Sequence, residues 1–272
     1  MTEDRIGTYE TKPFTKYRKD IALLVHESWR KHSIYALVDF DVTNAKQMIR
    51  NIREETGDRI SFTAWIVRCL GQALTEYKEL NVFRQGRNKL IYFDDVDISV
   101  VVEREYKGEK KPLPLIIRKA NEKDVYQITK EIRDAQQQPI DEKTTVLGQE
   151  LSSFERFALG APLFLKKIVI KMVRKRAFMK KRHMGTASVT SMGMIGHFPG
   201  WPITMGGASG VILGVGGMIK APRYINGELQ ERQLLRISIG VDHDVIDGGN
   251  LSRLVDRLYT LFDEGFDIKK RT

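Results

Sequence analysis

Residues 234–262 read LLRISIGVDHDVIDGGNLSRLVDRLYTLF, and this stretch decides the fold of the chain. Its first part, 234–241, is apolar and rich in β-branched residues, which predicts a strand. In its last part leucines recur every three or four positions, which predicts an amphipathic helix from Gly249 to Glu264. A polar loop, 242–248, joins the two. A buried strand followed directly by a helix with one apolar face indicates a layered α/β domain.

The rest of the chain continues this mixture of helices and strands. Apolar periodicity predicts helices over 14–31, from Thr43 or Asn44 to about Glu55, over 61–77 and over 121–136. Alternating or β-branched runs predict strands over 34–42, 89–93, 96–103, 115–118, 186–190 and 210–215. The charged, proline-bearing stretch 107–114 is expected to be a loop. We find no repeat and no flexible linker, so we expect a single α/β domain over residues 1–272, with a mixed β-sheet and helices.

Composition excludes several classes of protein. Of the 272 residues 42% are hydrophobic, which is ordinary for a globular domain. No apolar run approaches the roughly 18 residues that span a bilayer, and the N-terminus lacks the apolar region of a signal peptide, so we expect a cytoplasmic protein. The single cysteine, Cys69, excludes an intrachain disulfide framework. It lies in an apolar helical run, which favours an inert core thiol over a nucleophile.

The loop after the last strand holds the sharpest chemical signal. His243 stands at the end of the strand, Asp247 follows four residues later, and Gly248 gives the backbone freedom. A neutral imidazole can remove a proton from a thiol or an alcohol near neutral pH. From these residues alone, a solvated loop histidine remains an equal interpretation. A metal site built from His243 and its neighbouring aspartates is a third, and we expect no metal because no other His or Cys clusters with it.

Five segments, in order along the chain, resemble a known family. The segments are 18–22 (RKDIA), 118–120 (RKA), 185–194 (GTASVTSMGM), 212–216 (ILGVG) and 242–248 (DHDVIDG). They resemble, in the same order, an opening Arg-Lys-x-Ile-Ala helix, an Arg-Asn-Ala segment, a Gly-Thr-Phe-Thr-Ile-Ser-Asn-Leu-Gly-Met strand, an Ile-Leu-Gly-Val-Gly strand and an Asp-His-Arg-x-x-Asp-Gly signature. These motifs are those of the catalytic domain of the dihydrolipoamide acyltransferases, the core component of 2-oxoacid dehydrogenase complexes. Chloramphenicol acetyltransferase shares the fold.

The resemblance implies a fold, an assembly and a set of roles. It implies a chloramphenicol acetyltransferase-like two-layer sandwich that forms a homotrimer with active sites at the subunit interfaces. His243 matches the general base, and Thr190 matches the hydroxyl that stabilises the oxyanion, with Ser191 as the fallback. Asp247 matches the carboxylate that holds the histidine loop, and Arg18 is the natural candidate for its partner.

The resemblance also implies the ligands. Acyl-coenzyme A is the expected substrate, and the acceptor is dihydrolipoamide on a separate lipoylated protein or another thiol or amine, because this chain carries no lipoyl attachment of its own. Asp244 departs from the family, which has an arginine after the histidine. An anion beside the base favours its imidazolium form or alters the binding of anionic coenzyme A.

A basic segment is the second departure. Of the 45 Lys and Arg and 35 Asp and Glu in the chain, ten cations and one acid fall between Leu151 and Gly185. Apolar residues interleave with them, which predicts a helical insertion over about 146–184, one basic amphipathic helix or two broken near Gly160 and Pro162. It could hold the phosphates of coenzyme A, contact an anionic membrane surface, or be a solvated face that packs its apolar side on the domain. Nucleic acid is not expected, because no recognition motif accompanies the charge.

The sequence therefore predicts a coenzyme A-dependent acyltransferase that moves an acyl group between thiols. The alternative is a non-catalytic trimeric scaffold that retains the fold.

Overall fold

The computed structural model describes residues 2–4, 7–106, 109–137, 161–193, 199–204 and 209–271. Strands and helices alternate along these residues, with a 3-10 turn at Lys78–Leu80. The strands are β1 (Thr2–Asp4), β2 (Gly7–Tyr9), β3 (Ser33–Asp41), β4 (Val82–Gln85), β5 (Lys89–Tyr92), β6 (Ile98–Tyr106), β7 (Glu109–Ile117), β8 (Ala187–Ser191), β9 (Val211–Ile225) and β10 (Glu228–Asp242). The helices are α1 (Lys16–Ser28), α2 (Thr43–Thr56), α3 (Phe62–Glu76), α4 (Val125–Gln137), α5 (Leu163–Arg174), α6 (Ala177–Met184) and α7 (Gly248–Asp263).

Six strands form the central sheet, in the order β3-β10-β9-β8-β6-β7. The sheet is mixed: β8 runs parallel to both β6 and β9, and the other pairs are antiparallel. Strands β9 and β10 continue past their neighbours as a two-stranded arm. Asn226 and Gly227 close the arm, with φ of 51° and 85°. Positive φ at both central residues suits a two-residue hairpin turn.

Helices cover one face of the sheet and form the core with it. Residues of β10 that alternate towards this face, Ile237, Ile239 and Val241, are buried there. Phe262 of α7 packs against Phe40 and Trp65, with ring centroids 4.9 and 4.7 Å apart. Because α7 is held by this aromatic contact and β10 by two neighbouring strands, the loop between them has two fixed ends.

The predicted helices and most strands are confirmed, but the described part of the expected loop, 109–114, is not a loop. Residues 109–117 form β7, which lies at the edge of the sheet and, among the described strands, pairs with β6 alone. An edge strand tolerates Pro112 and Pro114 because one side of its backbone needs no ladder partner. The sequence interpretation also missed β4, ended β9 too early and began β10 six residues too late.

The basic segment folds as two helices over its described part. They break at Lys175 and Arg176, between α5 and α6, while the break expected at Gly160 lies outside the described residues. Pro162 directly precedes α5. Within the described part of the chain, no helix is both long enough and apolar enough to cross a membrane.

Candidate active site

The loop that carries His243 is held by backbone hydrogen bonds at both ends. Asp242 closes β10 by donating its N–H to the carbonyl of Gly210, 2.9 Å away. Its own carbonyl accepts the N–H groups of Val245 and Ile246, which makes a tight turn. The N–H of His243 bonds the carbonyl of His32 at 2.8 Å, so the turn is also tied to the segment that leads into β3.

The imidazole of His243 is held in one tautomer. Its Nδ1 lies 2.9 Å from the carbonyl oxygen of Ile246. A carbonyl oxygen only accepts hydrogen bonds, so Nδ1 carries the proton and Nε2 presents a lone pair. The residue is exposed, and Nε2 is therefore the atom that can take a proton from a thiol.

Asp247 sits at the start of α7, as the residue that precedes its first turn. Its carbonyl accepts the N–H groups of Asn250 and Leu251, while its side chain makes no capping hydrogen bond. A carboxylate at this end of a helix is favoured by the partial positive charge of the free N–H groups. Gly248, in contrast, does not need to be glycine for the turn: its φ is not positive, and a Cβ there would meet nothing within 4 Å. The predicted need for backbone freedom at this position is wrong.

The predicted ion pair between Arg18 and Asp247 is absent from the described residues. Arg18 is exposed on α1, and its backbone N–H donates to the Thr15 hydroxyl at 3.3 Å. The reason lies in how α1 packs. Asp20, on the same helix, pairs with the buried Lys166 of α5 at 2.5 Å, which ties α1 to the basic helix rather than to the histidine loop.

Lys31 holds the loop instead. Its ammonium lies 3.1 Å from the Asp242 carboxylate and donates to the carbonyl of Ser209 at 2.7 Å. Burial lowers the pKa of Lys31, and the charge and hydrogen bond of Asp242 oppose that shift. Sequence reasoning missed this anchor because only strand pairing, Asp242 opposite Ser33, brings the two residues together. A carboxylate next to the histidine and a cation just before β3 were the available signals.

Asp244, which stands where the family has an arginine, is hydrogen-bonded to His32. Its carboxylate lies 2.8 Å from Nδ1 of His32, and this hydrogen bond and charge raise the pKa of His32. The residue that replaces the family arginine therefore forms a second tie between the histidine loop and the segment before β3.

Within one chain, Thr190 lies far from His243 in space. In the sheet Thr190 of β8 lies opposite Gly214, and Gly214 lies opposite Ser238. His243 follows Ser238 by five residues, about 17 Å along the strand, and β8 is two strand spacings, about 10 Å, from β10. The two residues are therefore about 20 Å apart.

Ser191 lies still farther from the histidine, opposite Val215. Side chains alternate along a strand, and Val189 of β8 points into the helix-covered core. Ser191 shares that side, and Thr190 points to the opposite face of the sheet.

The basic segment uses several of its lysines internally. Besides Lys166, Lys181 donates to the carbonyl of Asp95 at 2.8 Å and lies over the ring of Phe93, 4.9 Å from its centroid. Lys180 lies over the ring of Phe83, 4.2 Å from its centroid. The described part of the segment is thus packed on β4, β5 and α1, and the exposed cations of that part are Lys167, Lys171, Lys175, Arg176 and Arg182.

A mixed six-stranded sheet with helices on one face, and an exposed histidine in the turn after its longest hairpin, define the chloramphenicol acetyltransferase-like class of fold. The profile of the 2-oxoacid dehydrogenases acyltransferase catalytic domain matches residues 6–152 and 165–264. This chain belongs to that family. The unmatched residues, 153–164, fall inside the segment that the sequence predicts to be an insertion.

Curated relatives are similar over most of this chain. The dihydrolipoyllysine-residue acetyltransferase component of the pyruvate dehydrogenase complex of Mycoplasma capricolum is 25% identical over 219 residues, 79% of this chain and 41% of that protein. The lipoamide acyltransferase component of the branched-chain alpha-keto acid dehydrogenase complex of Bacillus subtilis is 25% identical over 258 residues, 92% of this chain and 51% of that protein. The chain spans about half the length of these relatives.

Solved structures confirm the fold prediction. The cubic core of a pyruvate dehydrogenase multienzyme complex superposes with a TM-score of 0.69 at 19% identity, over 98% of both chains. The dihydrolipoamide acetyltransferase of Azotobacter vinelandii gives 0.69 at 20% identity, over 97% of this chain and 95% of that one. Chloramphenicol acetyltransferase gives 0.53 at 14% identity, over 90% and 94%.

Proposed function

We propose that this chain transfers an acyl group between the thiol of coenzyme A and a second thiol, with His243 as the general base. The observation that carries the proposal is the hydrogen bond from Nδ1 of His243 to the Ile246 carbonyl, which leaves the exposed Nε2 free to accept a proton. The curated relatives act on lipoyl groups, as their names state. Dihydrolipoamide is therefore the acceptor thiol that we propose first.

The proposed reaction balances with this one base. Nε2 takes the proton of the attacking thiol, and the thiolate forms a bond to the thioester carbonyl carbon. The tetrahedral oxyanion collapses, the carbon–sulfur bond to the first thiol breaks, and the departing thiolate takes the proton back from the imidazolium. The Ile246 carbonyl holds the ring in place while it is charged, because Nδ1 donates to it in both protonation states.

The oxyanion needs a hydrogen-bond donor, and Thr190, the matching hydroxyl, does not lie near His243 within one chain. We propose that Thr190 of a second copy supplies it, within a homotrimer. Such a donor contributes about 2.7–4 kcal/mol in the transition state. A separation of about 20 Å within one chain supports the sharing, since a donor must lie within hydrogen-bond reach of the oxyanion.

Asp247 has a proposed counterpart in the Azotobacter vinelandii enzyme, which was studied for the roles of a serine, a histidine and an asparagine in its mechanism. The histidine and the asparagine of that enzyme stand four positions apart, the spacing of His243 and Asp247. We propose that Asp247, exposed beside the base, contacts the substrate or the second copy.

The first experiment measures thiol release from a panel of acyl-coenzyme A esters with dihydrolipoamide as acceptor. We expect acceptor-dependent release by the wild type and a loss of about 10²- to 10⁴-fold in His243→Ala. His26→Ala is the matched control, because His26 is exposed on α1, away from the loop. Equal background release by wild type and His243→Ala across the panel would favour the scaffold alternative.

A mixing experiment tests the shared site. His243→Ala and Thr190→Val are each prepared alone, then dissociated and reassembled together. In mixed trimers about a quarter of the interfaces pair an intact His243 with an intact Thr190, so activity should return to about that fraction. No recovery from a mixture shown to contain hetero-trimers would place both groups in one chain's site and contradict the sharing.

A further inference from the structure

Helix α5 exposes apolar side chains while it buries a charged one. Ile168 is 53% and Met172 is 39% exposed, whereas Lys166, on the same helix, is 7% exposed and pairs with Asp20. Buried lysines are rare, and a helix that only shields the core turns its apolar residues inward and its lysines outward. Packing on the domain therefore explains one side of α5 and leaves its outer side unexplained.

The exposed apolar residues of α5 lie in a row beside three lysines. Residues three and four positions apart are neighbours on a helix surface. Lys167, Lys171 and Lys175 follow that spacing, and all three are exposed. Ile168 stands three positions before Lys171, and Met172 stands three positions before Lys175. An apolar strip and a cationic strip thus run side by side along the outer surface of α5.

The same combination continues on α6 and on the turn between β4 and β5. Two hydrogen bonds join that turn to the junction of the two helices: Gly86 N–H donates to the carbonyl of Lys175 at 2.9 Å, and Ala177 N–H donates to Oε1 of Gln85 at 2.6 Å. Phe178, near the start of α6, is 64% exposed. We call this surface the basic face, and its exposed cations include Lys167, Lys171, Lys175, Arg176, Arg182 and Arg87.

The two stretches of chain that form the basic face contain no acid. Residues 156–227 include no Asp or Glu, and neither do residues 80–93. Exposed apolar side chains that are rimmed by charges mark a surface that meets another surface. Because the rim is cationic throughout, a matching surface is anionic. A second copy that presented the same face in a symmetric contact would place cations against cations.

We propose that the basic face binds an anionic phospholipid surface, with α5 lying along it. Ile168, Met172 and Phe178 then reach below the headgroups while the cations contact the phosphates. Cations next to large apolar side chains are typical of helices that lie in a membrane interface. Lysine suits this position, because its aliphatic stem lies along apolar surface while its ammonium stays at the phosphates.

A lipid surface fits the basic face better than a protein does. The exposed apolar side chains form an open row along one helix, and a protein partner needs a groove that matches such a row. A fluid bilayer needs no matching shape, since it supplies anionic groups and an apolar interior over its whole area. This inference concerns where the protein binds and does not depend on the acyl transfer proposed above.

The first experiment needs only the wild type. It measures sedimentation of the protein with vesicles of phosphatidylcholine alone and with vesicles that contain about one third phosphatidylglycerol. We expect the partition constant to be at least about tenfold larger on the anionic vesicles. Most of this gain should disappear at about 1 M salt, where charges are screened beyond about 3 Å. Equal, weak sedimentation with both lipids would contradict the proposal.

Two variants test the two components of the basic face separately. The triple variant Lys167→Gln, Lys171→Gln, Lys175→Gln should lower the partition constant on anionic vesicles by about 100-fold, because each cation near such a surface contributes about fivefold. The double variant Ile168→Ser, Met172→Ser should lower it by about tenfold at low and at high salt, since burial of apolar side chains is not screened.

The matched control removes three exposed cations from another surface. The variant Arg50→Gln, Arg53→Gln, Arg59→Gln takes the same charge from α2 and the segment after it, and it should change the partition constant by less than about twofold. A loss as large as that of the lysine variant would reduce the effect to net charge and contradict a defined face.

The remaining outcomes assign the basic face to another ligand and overturn the proposal. Unchanged vesicle binding by the lysine variant, with a raised KM for acyl-coenzyme A, would assign the lysines to the coenzyme A phosphates. Dissociation of the oligomer in the Ile168→Ser, Met172→Ser variant, with vesicle binding unchanged, would make the face a contact between copies. If a variant does not fold, the lipid and salt dependence of the wild type decides the question.

Discussion

The two ends of the central sheet differ in how much of the proposed active site a single chain forms. At the end where β10 finishes, the loop of His243 is tied by backbone bonds, by Lys31 and by His32. At the other end, Thr190 lies about 20 Å from that loop, on the face that the helices do not cover. One chain therefore builds and orients the proposed base by itself, whereas the oxyanion donor that we propose depends on assembly. In this proposal, folding and assembly contribute separate parts of the site.

Removing Lys31, which anchors the histidine loop, should have the largest effect of the changes considered. Lys31→Met leaves the Asp242 carboxylate buried and unpaired, so we expect the free energy of unfolding to fall by about 3–5 kcal/mol in urea titrations at pH 7. The double variant Lys31→Met, Asp242→Asn should recover part of the loss. Lys78→Met, which breaks the exposed pair with Asp94, is the control and should change little. A loss no larger than this control would show that the anchor is not needed.

Removing the Thr190 hydroxyl should lower the activity of the assembled protein without destabilising the fold. Thr190→Val keeps the shape, and we expect kcat to fall by about 10²- to 10³-fold at unchanged trimer content. Thr190→Ser should retain activity, and Ser191→Ala should retain it too, because Ser191 lies on the helix-covered side of β8. A large loss in Ser191→Ala with an active Thr190→Val would exchange their roles.

Neutralising Lys180 should stabilise the protein. Its pKa is about 8 in the folded state and 10.5 as a model value. Between these pH values the unfolded chain binds more protons, so wild-type stability rises with pH in that window. At pH 7 Lys180→Met should therefore raise the free energy of unfolding by about 1–3 kcal/mol, after the lost contact with Phe83 is subtracted.

This gain should shrink above pH 8 and disappear by pH 10.5, because the wild-type lysine becomes neutral in the folded protein. Urea titrations of both proteins at several pH values measure the difference. A variant less stable than the wild type at pH 7 would mean that Lys180 already has a stabilising partner.

The smallest effect is expected at Arg18. It is exposed and makes no ion pair with Asp247, so Arg18→Ala should change the free energy of unfolding by less than about 0.5 kcal/mol. A large loss of activity only in the assembled protein would show that Arg18 acts across the subunit interface.

The features that could be predicted from the sequence are those that depend on the local pattern of residues. Leucine spacing predicted α7, and the polar turn between an apolar strand and that helix singled out His243. The strand with Pro112 and Pro114 was missed because its tolerance for proline depends on being at the sheet edge, which is a property of the whole topology. The Arg18 pairing was wrong because α1 packs through Asp20 on Lys166, a partner 146 positions away.

The two lysines near the histidine were beyond sequence reasoning for a related reason. Lys180 stands in a run of cations, where each looks solvated, and only the contact of α6 with β4 buries it. Lys31 anchors the loop through Asp242, and the pairing of β3 with β10 brings Asp242 next to it. Charge counts along a chain do not reveal which charge is desolvated.

The distance between Thr190 and His243 has a consequence for how the protein behaves in dilute solution. A site shared between copies exists only while the copies are associated, so specific activity should decline when the protein is diluted below its dissociation constant. The amount of protein made by a cell would then set not only the number of active sites but also the fraction of chains that have one.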